Sequence, residues 1–120
     1  MKIIRLEWLS EEGQEALLTL QAGSTEFTVF SHPCNSNVGE EVQSLIFSLD
    51  ESNLVRIDSC NPAICQAQGK FESTIRAKVE NTKKKIVSIG EVNIRLSRSL
   101  PGDIREGDYV SFTSLRLDFN

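Results

Sequence analysis

The sequence predicts an all-β chain, a single small and strongly bent antiparallel β-barrel occupying residues 1–120. Three observations lead there. From Gly69 to Asn120, apolar and polar residues alternate with period two through three consecutive runs, the pattern of strands with one buried face. The phase of that alternation changes inside the runs, at Gly90 and near Thr113-Ser114. β-bulges shift the phase in this way, sharpening twist and letting a sheet curl. Turn-forming clusters separate the runs at short intervals.

In chain order, Ile4, Leu6 and Trp8 form one face of a first strand, with Trp8 as core or barrel-end packing. Glu15 to Gln21 and Thr25 to Ser31 read as a hairpin around Ala22-Gly23-Ser24. Ala16, Leu18, Leu20, Phe27 and Val29 point inward in one phase, and Leu17, Thr28 and Phe30 in the alternative phase. Val42 to Leu49 fits a strand or a short helix. The cluster Asp50-Glu51-Ser52-Asn53 then predicts a turn into Leu54–Ile57, and so a second hairpin. Residues 62–68 carry the one helical signal, with Pro62 at the first turn and Gly69 as the stop.

The late runs can be set in register. Phe71, Ser73, Ile75, Ala77 and Val79 make a buried face. Folding across the turn at residues 81–85 places Val79 opposite Val87 and Ala77 opposite Ile89. A bulge at Gly90 then places Ile75 opposite Val92, and brings Arg76 near Glu91 and Glu72 opposite Arg95. Val110 and Phe112 share one phase, and Leu115, Leu117 and Phe119 the other. Pro101-Gly102 suits a type II turn. Strands with one short helix before a late strand resemble an OB-fold barrel. The resemblance is one of fold only and implies no function.

Length and composition bound the function. A chain of 120 residues holds one core. A net charge of −4 and an isoelectric point of about 5.0 disfavour a dedicated nucleic-acid binder. The N-terminal stretch lacks the apolar core and cleavage site of a signal peptide, and no run is long enough to span a bilayer. Three cysteines, an odd number, fit a reducing compartment. These features predict a cytoplasmic protein.

Three features could carry chemistry. His32, Cys34, Cys60 and Cys65 are the only histidine and all the cysteines, enough soft ligands for a tetrahedral zinc. Their spacing lacks a tight Cys-x2-Cys knuckle, and the bland reading is of small buried thiols beside a loop histidine. Cys34 with His32 also lacks an orienting third group for nucleophilic catalysis. The second feature is a basic tract at residues 70–98, with Lys70, Arg76, Lys78, Lys83, Lys84, Lys85, Arg95 and Arg98 on an otherwise acidic chain. Such a hairpin could lie along a single-stranded nucleic acid, chiefly through Lys78, Lys83, Lys84, Lys85 and Arg98. Against it, Arg76 and Arg95 are expected to meet glutamates, and Phe71 to face inward, which leaves no aromatic platform. The third feature, Asp103, Glu106 and Asp108, lacks calcium-loop spacing.

The expectation is a protein-interaction or accessory module without catalysis or cofactor, whose partner is another protein. Nucleic-acid binding and zinc binding are the alternatives. The chain is expected to be a monomer or a homodimer, with dimers formed by strand pairing at an exposed last strand.

Overall fold

A computed structural model describes residues 1–67 and 71–119. Among them every regular element is a strand: β1 (Lys2–Ser10), β2 (Glu15–Ala22), β3 (Thr25–Ser31), β4 (Ile46–Ile57), β5 (Ala63–Gln66), β6 (Ser73–Asn81), β7 (Ile86–Ile89), β8 (Val92–Arg95) and β9 (Tyr109–Phe119). The sheet order is β1-β2-β3-β9-β4-β8-β7-β6-β5, and a further β9–β6 pairing closes β9, β4, β8, β7 and β6 into a five-stranded barrel. The meander β1-β2-β3 joins the barrel through a short parallel pairing, Phe30 with Asp118 and Ser31 with Phe119. A second parallel pairing, Ile46 with Ile94 and Phe47 with Arg95, seals β4 to β8, so the barrel is not purely antiparallel.

Strand β6 matches the sequence pattern residue by residue. Ser73, Ile75, Ala77 and Val79 are buried, and Thr74, Arg76, Lys78 and Glu80 are exposed. Inside the barrel, Ile46, Ile75, Val79, Val87, Ile94, Phe112 and Leu117 form one continuous core with Leu18, Leu20 and Phe27 from the meander. Removing such a side chain from water contributes about 1.5–3 kcal/mol. The β2–β3 hairpin has the expected inward phase, with Ala16, Leu18, Leu20, Phe27 and Val29 all buried.

Several expectations are corrected. Gly90 is not a bulge. Ile89 pairs with Val92 across a two-residue loop, Gly90-Glu91, with Gly90 at φ 58°. Glycine at the first central position suits such a hairpin, and a tight turn flips the phase just as a bulge would. Val79 does pair with Val87, but Ile75 pairs with Ile64 and Phe112 rather than Val92. The expected turn at residues 50–53 is instead the middle of one long strand. Asp50 and Asn53 adopt positive φ there, 54° and 55°, which Asp and Asn tolerate better than most residues.

The helix expected at 62–68 is strand β5 over Ala63–Gln66, drawn into pairing by β6. Gln68 and the stop residue Gly69 lie outside the described residues, as do Lys70 and Asn120. Gly102 does not take the positive φ a type II turn needs there; Pro101 stands first in its turn, its carbonyl accepting from Ile104 at 3.0 Å. Trp8 is 41% exposed, past the edge of the core. The last strand is no edge, because β9 sits between β3 and β4 and also pairs with β6. The outer strands are β1 and β5. β1 breaks register between Ile3 and Arg5 and again between Trp8 and Ser10. Bulges on an edge strand discourage pairing with another chain. Among the described residues, no helix is long and apolar enough to cross a membrane.

One side chain closes the gap between meander and barrel. The Gln66 amide accepts from the Thr28 N–H at 2.7 Å and donates to the Thr28 carbonyl at 2.8 Å and to Ser73 Oγ at 3.0 Å. It thereby satisfies β3 backbone groups as a neighbouring strand would. Gln66→Ala is expected to cost about 1–2 kcal/mol in urea denaturation. Hydrogen exchange at the Thr28 amide should speed up beyond what that loss alone explains.

Candidate functional site

The most distinctive local geometry lies where β4 and β9 change phase together. Ser48 pairs with Leu117 and Glu51 with Ser114, and all four are buried. Between them Leu49 pairs with Arg116. Two successive residues on each strand, Leu49-Asp50 and Leu115-Arg116, therefore turn away from the core. The slip on β9 lies between Ser114 and Leu117, so Leu115 is 50% exposed rather than in the core. A positive φ at Asp50 accompanies the same slip on β4.

A chain of polar groups fills the inner side. Glu51 is only 5% exposed. Its carboxylate accepts from the backbone N–H of Ser97 (3.0 Å) and Arg98 (2.9 Å) and from the hydroxyls of Ser97 and Ser48, both at 2.7 Å. Ser114 Oγ lies 2.7 Å from Ser48 Oγ and 3.0 Å from the Arg116 carbonyl. Ser48 donates to the carboxylate, and the single Ser114 proton is shared between Ser48 Oγ and the Arg116 carbonyl. The chain then runs Ser114 to Ser48 to Glu51, each bond polarising the next. This tie anchors the loop after β8 to the kink.

The outer side is a groove of about 440 Å³ lined by Leu49, Phe71, Glu72, Leu115 and Arg116. Phe71, expected to face inward, is 48% exposed. Phe47, two residues before Leu49 on β4, extends the apolar surface. Arg116 is fixed as one wall. It donates to both oxygens of Asp118, at 2.6 and 3.0 Å, and its guanidinium carbon stands 4.3 Å from the Phe30 ring centroid. Apolar side chains gathered in one concave place with few charges are the usual makings of a binding surface.

The candidate metal ligands do not converge. His32 is exposed in the loop after β3, and Cys34 is buried, its N–H donating to the Gln14 carbonyl at 2.8 Å. Cys60 lies before β5, and Cys65 is exposed on β5 opposite Thr74. Among the described residues, no group of three or more His, Cys, Asp or Glu side chains is placed to hold a metal. That holds equally for Asp103, Glu106 and Asp108, where Asp108 accepts from the Arg105 N–H to shape its own turn.

The basic candidates are dispersed. Lys78 lies on the outer face of β6 opposite Tyr109. Lys83 and Lys84 are exposed in the β6–β7 turn, and Lys85 is half-buried at φ 59°. Glu106 sits against that turn. Its carboxyl is held below the usual range by its own backbone N–H, by the N–H and hydroxyl of Thr82, and by the charge of Lys83. Arg98 is paired with Asp50. The expected partners of the two arginines are corrected, since Arg76 lies opposite Ala63 and Ser111, and Arg95 opposite Ile86 and Phe47.

Sequence reasoning missed the groove because it placed Phe71 and Leu115 inside. The available signal was Leu49-Asp50-Glu51, where a residue tolerant of positive φ interrupts an apolar alternation. Comparison with protein-family models, with curated proteins and with solved structures found no match.

Proposed function

We propose that the chain is a non-catalytic protein-interaction module, working in the cytoplasm, that binds its partner through the outer face of the β4–β9 kink. One observation carries the reading: the paired phase slip brings Leu49, Leu115 and Phe71 into a single exposed groove. Exposing apolar side chains there costs stability that burial would have supplied, and a docking partner recovers it. The cytoplasmic assignment rests on the odd cysteine count, which suits a reducing compartment.

Panning the immobilised chain against a displayed random-peptide library tests the reading. Enrichment of peptides that then bind the free chain in solution is expected. No enrichment would overturn it, and tight binding of a short oligothymidylate at low salt would then favour the second reading. A second reading, single-stranded nucleic acid, draws support from the outward Phe71 and from Lys78 beside Tyr109. Under it, Lys83→Glu, Lys84→Glu and Lys85→Glu together would abolish oligothymidylate binding.

A further inference from the structure

We infer that the groove takes a short segment of another protein, one aromatic or branched apolar side chain flanked by arginine or lysine; this rests on the interaction reading above. Size argues first. With aromatic and aliphatic side chains of roughly 150–250 Å² each, the exposed fractions of Phe47, Leu49, Phe71 and Leu115 leave roughly 300–400 Å² of apolar surface. A stable protein–protein contact draws about 800 Å² from each side. The patch is too small to hold a second copy of the chain by itself, whereas a groove of about 440 Å³ matches one large anchoring side chain and its flanks.

Charge argues second. Among the described residues two charged side chains line the groove, and Arg116 already spends its guanidinium on the Asp118 carboxylate and the Phe30 ring. Glu72 is exposed at the groove and presents a carboxylate to whatever enters. The chain as a whole is also acidic, at −4. Basic flanks are therefore drawn in and acidic ones repelled. Position argues third: Leu49, Leu115 and Arg116 stand on two strands braced from behind by the Glu51 hydrogen bonds, so little ordering of that wall opposes binding.

Amide chemical-shift titration distinguishes the outcomes, with acetyl-Arg-Trp-Arg-amide, acetyl-Glu-Trp-Glu-amide and a short oligothymidylate as probes. The basic peptide is expected to shift Leu49, Glu72, Leu115 and Arg116 and to bind at least about threefold tighter than the acidic one. Glu72→Gln should bring that ratio close to one. Leu115→Asp, a change at an exposed position, should remove the shifts while the far-UV circular dichroism spectrum stays that of the parent chain. Equal affinities at the groove would overturn the inference and leave the interaction reading standing, whereas shifts confined to another face would overturn both. Shifts that depend on protein concentration without probe would assign the groove to a second copy. Groove shifts produced by oligothymidylate in preference to either peptide would assign it to nucleic acid. Failure of library panning, in contrast, removes the interaction reading itself.

Discussion

Phe112→Ala is expected to destabilise the protein by about 3–5 kcal/mol, the range for emptying a large aromatic site in a core. Phe112 is buried on β9, where Ile75 of β6 is its register partner. The loss is large against a typical total of about 5–15 kcal/mol. The same strand supplies the control. Leu115→Ala, three residues on, should change stability by no more than about 0.5 kcal/mol, since its side chain faces solvent. Simple alternation assigns Leu115 to the core with Leu117. If Leu115→Ala proved as costly as Leu117→Ala in urea denaturation, the phase slip would be misplaced and the groove with it. Far-UV circular dichroism suits the measurement better than tryptophan fluorescence, because the single tryptophan, Trp8, lies on the outer strand of the meander.

Glu51→Ala should cost about 2–3 kcal/mol. The substitution leaves the Ser97 and Arg98 N–H groups and the Ser48 hydroxyl without the acceptor that now gathers them. Part of the loss is offset, because burying a carboxylate is itself unfavourable and alanine removes that burden. Glu51→Gln keeps one acceptor oxygen but turns an NH₂ toward donors, so a smaller cost of about 1–2 kcal/mol is expected. Equal stability of Glu51→Ala and the parent protein in urea denaturation would show that the polar chain contributes nothing to the kink.

What was legible in the sequence was local. The alternation of Ser73, Ile75, Ala77 and Val79 is set by one strand lying between a core and solvent, and it could be read directly. The β2–β3 hairpin was legible for the same reason, helped by Gly23 at its turn. What failed depended on partners distant in the chain. A tight hairpin and a bulge both change phase at a glycine, and only the partners of Ile89 and Ile75 tell them apart. The helical signal was read over residues 62–68, yet β6 offers an open edge to Ala63–Gln66, and pairing with it outweighs local preference there. At the site, Phe71 continues the inward phase of β6 on paper but lies before that strand begins, so alternation no longer governs it. Cys34, Cys60 and Cys65 could be counted in the sequence. Their failure to converge is a property of the topology alone.

The placement of β9 has a kinetic side. This strand is the partner of β3, β4 and β6 at once, yet it follows all three along the chain. A ribosome delivers residues 109–119 after all three of these partners, so until then the nascent chain holds three unsatisfied edges and an open barrel. Loop closures this long must be completed before their contacts stabilise anything, which places folding toward the slow end for domains of this size, about milliseconds to seconds. During that interval the unpaired edges of β4 and β6 are most exposed to wrong partners, and a chaperone that shields edges would act there.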